Sequence, residues 1–526
     1  MRHLPLWLRA AILAGYCPGA LAADPTHDSP PVPFSLEPAP LHDKTDESLL
    51  RLRERLGPQT PTGAGVIVGQ SEPFWQGGFM PFVGTGVGEF AEKFAENRSS
   101  LAPGISPHAR TVGTIWFGRT AGVAPGIPRV ACFEAADYVA HALQWESAHS
   151  DPALMNPGPV QIINASWVYD GVTDASIRAL RRLDHVAAAH GVLFVSAVHN
   201  SRYSNIPTLM ASMYNGIAVG RADGDSSHGP TFFEGHGRAK PEIVADSSAT
   251  SYAAPRVAGA AALLIEQAGT SASRTMTPLL LKAVMLTAAR KPPGWFRGDA
   301  TAEDDSLRPL DWRYGAGTLR IDRNHEVLAA GPSPQNARCG ATGWSCAALA
   351  ESSTLAHFLF ISTTNTTLTA TACWNRHHSG DFTTDAMLPL NRLTLELWRI
   401  PTSRNGVAEL VQSSASPIDN LQHIHVHGLA AGDYVLRVVR HTDFGPESEP
   451  VALAWHSEGV ALRGDMNGDG RVTAFDLDPF TLALFDPAAY RANFPGINPL
   501  ERGDTNYDGE FDLFDIDSFI ELLLDA

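Results

Sequence analysis

Cysteine is scarce in this chain, with 5 residues among 526, and no Cys-x-x-Cys pair or metal-ligand cluster is built from them. Thiol-ligated metal chemistry is therefore not expected. Basic runs are missing too: 39 Lys and Arg stand against 56 Asp and Glu, for a formal net charge of -17. Nothing here would neutralise a phosphate backbone, which excludes nucleic-acid binding. No apolar run is long enough to cross a bilayer, since Val257–Ile265 stops at Glu266 and Gln267 and Ala10–Tyr16 is shorter still. Hydrophobic content of 44% with 18% charged residues describes a globular protein. Its length implies two to four domains.

The first residues read as a secretory signal over 1–22. Arg2 and Arg9 flank the start of an apolar stretch, and Ala20 and Ala22 supply small residues for cleavage. Tyr16 separates Cys17 from Leu-Ala-Gly, which weakens a lipid-anchor reading. A secreted protein is expected, with Cys132, Cys339, Cys346 and Cys373 left. Cys339 and Cys346 are close enough to close a small disulfide loop in an oxidising compartment. Residues 23–59 are Pro-rich and then charged, with one amphipathic piece, Glu47–Leu56.

The most informative stretch is Ala249–Gly259. Proline lacks an N–H and is best tolerated in a helix's first turn, so Pro255 places Ser251 at or just before a helix start. The apolar run that follows predicts a helix buried on all sides. A hydroxyl at its mouth sits in the positive field of the helix terminus, where a developing oxyanion is favoured. A capping serine on a core helix is the plain alternative. The stretch resembles the serine motif of the subtilisin-like proteases, Gly-Thr-Ser-x-Ala-x-Pro-x-Val-x-Gly. Thr250, Ser251, Ala253, Pro255, Val257 and Gly259 match it, with Ala249 in place of the first Gly.

That resemblance implies partners in a fixed order. The family's first carboxylate stands at the end of a β-branched strand, and Gly65–Val68 leads to Glu72, with Glu for the usual Asp and Pro73 after it. The other acids between Gly57 and His108 are Glu89, Glu92 and Glu96, in a stretch expected to be helical. His108 opens a segment similar to His-Gly-Thr-His-Val-Ala-Gly-Thr, retaining the histidine but not all of its neighbours, and Gly122–Gly126 resembles the turn that follows it. Asn200 ends Val198-His-Asn, similar to the Ala-Gly-Asn that supplies an oxyanion-hole amide. Asn164–Trp167 resembles the substrate-binding segment, with Ser166 and Trp167 facing the cleft; Trp167 reads equally as a core aromatic.

Alternating strands and helices fill this region: a helix over Ala135–Ala148, a strand over Val160–Ile163, a helix over Asp174–His190 and a strand over Gly191–Ala197. The rhythm predicts an α/β fold, a parallel sheet with helices on both faces and its site at the C-terminal strand ends. The peptidase-like part spans 60–330. Residues 331–353 read as a linker. Period-2 runs over 354–458 predict an antiparallel β-sandwich without catalytic residues, a stabilising or adhesive module.

From Gly464 onward there are 14 Asp and Glu against 3 Arg, so 11 of the 17 excess negative charges lie in 464–526. Asp465, Asn467, Asp469, Arg471 (through its carbonyl) and Asp476 repeat as Asp504, Asn506, Asp508, Glu510 (carbonyl) and Asp515. This is EF-hand spacing, with oxygen ligands suited to Ca²⁺. Each loop runs into a short apolar helix. The pair resembles a type I dockerin, a small helical domain whose partner is a cohesin.

The combined expectation is a secreted serine endopeptidase using Ser251, His108 and Glu72, with Asn200 at the oxyanion hole and no cofactor for catalysis, tethered by a calcium-loaded tail. A catalytically inactive binding module on the same fold and an esterase using the same residues are the rivals.

Overall fold

A computed structural model of the chain describes residues 46–525, apart from 146, 148, 233, 235, 270–276, 299–303, 362, 402–405, 442–446, 460–462, 469–471, 495–496 and 507–509. The expected signal segment and the expected loop residues Asp469, Arg471 and Asp508 lie outside the described residues.

The chain enters through the helix Glu47–Leu56, capped by Asp46, whose carboxylate accepts from the N–H groups of Ser48 and Leu49. It then builds an eight-stranded sheet. In spatial order the strands are Ile243–Ala245, Gly216–Arg221, Leu193–Ala197, Ile162–Ala165, Ile67–Glu72, Arg129–Glu134, Phe94–Asn97 and Gly84–Thr85. All neighbours are parallel except the last pair. The central strands are almost wholly buried because helices cover the sheet, as parallel strands require.

The helix Asp174–His190 begins and ends where its sequence dictates. A capping box joins Thr173 and Ser176, and Gly191 closes the helix at a φ of 63°, in the left-handed region glycine enters freely. The helix Thr250–Ala268 is buried along Val257–Ile265, as its all-apolar surface demands. Gly259 lets it approach its neighbour closely, since a Cβ there would lie 2.6 Å from the Cβ of Val123.

Several local expectations are corrected. Ala135–Ala148 is no continuous helix: a single α turn, Ala135–Asp137, passes into a π turn, Tyr138–Ala142. The stretch with Glu89, Glu92 and Glu96 forms a 3₁₀ turn, Gly88–Phe90, and the strand Phe94–Asn97. The expected linker 331–353 is largely sheet, Arg338–Cys339 and Thr342–Ala350, with small residues alternating in and out. Cys339 and Cys346 are both free thiols. Cys339 lies instead 3.3 Å from His357 Nδ1.

Those strands open a sandwich of a five-stranded and a four-stranded sheet. Its interior includes Trp374, Trp455, Leu395 and Leu436. The sandwich is fused to the first domain rather than tethered to it. Cys373, Leu421, Ala452 and Ala454 join the core of the first domain, and Thr287 donates to the hydroxyl of Thr371 at 2.9 Å. Among the described residues no helix is long and apolar enough to cross a membrane.

Candidate active site

Three adjacent strands end together at one edge of the sheet, and each delivers a polar group there. Glu72 is the last residue of its strand rather than a residue beyond it. Ser166 follows the strand Ile162–Ala165, and Asn200 lies just past Leu193–Ala197. C-terminal strand ends are where a parallel sheet opens crevices.

His108 is the second residue of the helix Pro107–Phe117, which Ser106 caps from its side chain. Its Nδ1 lies 2.9 Å from Glu72 Oε2, and both side chains are buried. A carboxylate oxygen facing Nδ1 is the arrangement that holds a proton on that nitrogen. Gln70, two residues back on the Glu72 strand, donates from Nε2 to Glu72 Oε1 at 3.3 Å and to the carbonyl of Ala109 at 2.8 Å. It thus ties the carboxylate to the histidine's helix. Glu134, in register with Glu72 on the next strand, accepts from the N–H of Phe74 and fixes the chain beyond Pro73.

Ser251 is the second residue of the buried helix, in the open first turn where backbone N–H groups lack helical partners. Tyr252 follows it, with its ring stacked on His108 at 5.9 Å between centroids. Asn200 is clamped to the same turn: its Oδ1 accepts from the N–H of Thr250 at 2.7 Å and from the Thr250 hydroxyl at 2.9 Å. With Oδ1 so occupied, the Asn200 amide group is left as a donor beside the first turn.

Pro255 falls in the second turn, not the first, since the helix begins five residues before it. Its missing N–H frees the carbonyl of Ser251, and the Ser166 hydroxyl donates to that carbonyl at 2.9 Å. Asn164 Nδ2 in turn donates to Ser166 at 2.9 Å. This corrects the reading of Ser166 as a cleft residue: it is buried beneath the serine turn. Trp167 is buried as well, with its indole N–H on the Ser71 hydroxyl at 3.0 Å. The core alternative for this tryptophan is the one observed.

Sequence reasoning passed over Gln70, Asn164 and the pair His199–Asp170, in which Nε2 lies 2.8 Å from a carboxylate oxygen immediately before Asn200. A signal for Ser166 was available, because a proline four residues after Ser251 demands an outside donor for that carbonyl.

In the tail, the same closure occurs twice. Asp476 accepts from the N–H of Asn467 and of Thr473, both at 2.9 Å. Asp515 accepts from the N–H of Asn506 at 3.1 Å and of Asp512 at 2.9 Å. The repeats also exchange cations: Arg463 pairs with Asp504 at 3.0 Å and Arg502 with Asp465. Asp465, Asp476, Asp504 and Asp515 are all buried. Burial, with Asp465 adding to it, raises the Asp476 carboxyl above its usual range against the backbone donors that lower it. Stacked Phe480 and Phe519, 4.0 Å apart, join the two following helices. Among the described residues no group of three or more His, Cys, Asp or Glu is placed to hold a metal.

Residues 113–317 match the model of the Subtilase family, peptidase S8. The matched span contains Ser166, Asn200 and Ser251, and begins after Glu72 and His108. Residues 113–317 are thus similar to a subtilase peptidase domain, and the chain is a serine-type peptidase, a hydrolase acting on protein or peptide substrates. A search of the curated proteins found no match. Among solved structures, the chain is similar to the prenylagaramide maturation protease PagA at 19% identity, covering 53% of this chain and 98% of that one with a TM-score of 0.36. It is similar to the PatG macrocyclase domain at 17% identity, covering 57% and 100% with a TM-score of 0.38. Similarity to tripeptidyl peptidase 2 is 13% identity, covering 69% and 41% with a TM-score of 0.30.

Proposed function

We propose that this chain is a secreted endopeptidase that cleaves peptide bonds through Ser251, His108 and Glu72. The observation that carries the reading is the buried 2.9 Å contact between His108 and Glu72 at the sheet edge where the Ser251 helix begins. His108 Nε2 takes the proton of Ser251 as its oxygen attacks the peptide carbonyl, then gives it to the leaving amine. Glu72 holds the imidazole tautomer and balances the imidazolium. The Asn200 amide and the Ser251 N–H receive the oxyanion, a contribution that typically scales rate by on the order of 10²–10³ per donor. A serine-directed phosphonate tests this. Wild type should be labelled and Ser251→Ala should lose both label and peptidase activity. A folded wild type that takes no label would leave the inactive binding module as the reading.

The tail is read as a Ca²⁺-dependent dockerin whose partner is a cohesin. Supporting it are two loops of one spacing, each with buried carboxylates at its first and last positions, and an all-oxygen donor set suited to a hard cation. Asp465, Asn467, Asp476, Asp504, Asn506 and Asp515 would hold the ions, with Asp469, Asp508 and the carbonyls of Arg471 and Glu510. The bound ions would neutralise the carboxylates and fix the loops. The full chain should bind Ca²⁺ by calorimetry, and Asp465→Ala with Asp504→Ala should abolish it while peptidase activity remains. Unchanged binding in that variant would refute the assignment.

A further inference from the structure

A cavity of about 580 Å³ opens where the helix Glu47–Leu56, the peptidase domain and the sandwich meet. Its sandwich wall is a patch of histidines. His425 and His427 stand two apart on one strand and so share a face. His425 and His456 are both in register with Thr369 on the strand between them. Each imidazole turns Nδ1 to a threonine hydroxyl: His425 to Thr369 at 2.8 Å, His427 to Thr367 and His456 to Thr342 at 3.0 Å. The Nε2 edges are thereby turned away from those hydroxyls, and His425 Nε2 is buried without a hydrogen-bond partner.

The peptidase domain contributes cations to the lining. Lys291 donates to the carbonyl of Ala316 and lies 4.9 Å above the Trp295 ring, with no carboxylate paired to it among the described residues. Arg290 is exposed at the rim and makes no ion pair among the described residues. Arg323 and Arg320 also line the cavity, paired with Glu458 and Asp322 respectively. The remaining acids do not offset Lys291. Asp46 is occupied capping its helix, Glu47 is solvated beside Arg51, and Asp246 is exposed.

Burial, then Lys291 and the neighbouring His427, Arg323 and Arg297, push His425 down to about 2. Burial, Arg323 and Arg320 push His456 down to about 3 against Asp322. Lys291 is held well below the usual lysine range by burial and by Arg323. His425 and His456 therefore stay neutral and offer hydrogen bonds without charge. Burial and Arg323 disfavour the charged form of Lys291, and a bound anion would favour it again.

We propose that this cavity is a binding site for a small phosphoryl-bearing anion that ties the entry helix and the sandwich to the peptidase domain. A metal cation is disfavoured by the arginines and the lysine that line the cavity, and no group of three or more His, Cys, Asp or Glu is placed to hold one among the described residues. Lysine, guanidinium and imidazole donors suit tetrahedral phosphoryl oxygens, and the volume falls within the range of small-molecule sites rather than that of a bare ion.

The test uses the full chain with inorganic phosphate as probe and no added calcium, against sodium chloride of equal ionic strength. Saturable heat in calorimetry and a thermal midpoint that rises with the logarithm of phosphate are expected, because a ligand selective for the folded state stabilises it by mass action. Lys291→Met should weaken binding at least tenfold. Arg290→Glu, at the exposed rim where folding is not at stake, should weaken it similarly. Phosphate acting no differently from matched chloride overturns the proposal. So does binding that survives Arg290→Glu unchanged, since it then occurs elsewhere.

Discussion

The hydroxyl of Ser166 donates to the carbonyl oxygen of Ser251 at 2.9 Å, and that carbonyl is the one Pro255 leaves without a helical donor. The nucleophile's turn is therefore held from the strand beneath it, through the relay from Asn164 to Ser166 to Ser251. Ser166→Ala strands a buried acceptor, a loss of about 1–3 kcal/mol. The thermal midpoint should fall, and phosphonate labelling of Ser251 should slow while remaining measurable. Unchanged midpoint and labelling rate together would show that the turn needs no such support.

The fold was legible where pattern and capping agree. Asp174–His190 carries its own start and stop signals, and Glu47–Leu56 its amphipathic face. Glu72 and His108 were placed by register in a motif, and the structure puts them in contact. What stayed hidden depends on tertiary packing. Trp167 looks alike in sequence whether it lines a cleft or a core. The residues between 331 and 353 look like a linker because small residues suffice where a strand packs against another domain. The π turn at Tyr138–Ala142 has no periodic signature at all.

Arg182 and Asp385 form a fully buried ion pair between the helix Asp174–His190 and a loop of the sandwich, both at 0% exposure. Arg182 also donates to the carbonyls of Leu143 and Gln144. Removing one partner of such a pair leaves an uncompensated charge, so Arg182→Met should cost about 3–5 kcal/mol. Adding Asp385→Asn, which suits the residue's positive φ of 49°, should make matters no worse. A double-mutant cycle on denaturation midpoints checks this, and additive losses would mean the two act independently.

Burial pushes the Asp419 carboxyl up from 3.8 to about 6, against the Ser416 hydroxyl and the cations Arg238 and Lys240, with Glu242 adding to the rise. The folded state thus holds this proton more tightly than the unfolded state. The stabilisation is fully present below pH 3.8 and is lost as pH rises through about 6. Asp419→Asn removes that dependence. The midpoint difference between variant and wild type should shift in the variant's favour from pH 4 to pH 7, by up to roughly 3 kcal/mol. A difference that is flat over this interval would show that Asp419 is ionised throughout.

Glu72 is the one departure from its motif that sits inside the proposed chemistry. It ends its strand with Oε2 on His108 Nδ1 and Oε1 held by Gln70, so its longer side chain is fixed at both oxygens. Glu72→Gln keeps the shape but offers the histidine an amide that can donate, which favours the wrong imidazole tautomer. By comparison with the loss of the carboxylate in other serine triads, kcat should fall on the order of 10³–10⁴. KM should barely move, because the lost interaction matters mainly as the imidazolium forms. Glu72→Asp should keep part of the activity, limited by the shorter reach to His108. Gln70→Ala should show a milder loss of kcat, since it frees Oε1 and leaves the carboxylate in place. A Glu72→Gln enzyme within a few-fold of wild type would mean the contact is structural and that His108 is oriented by another group.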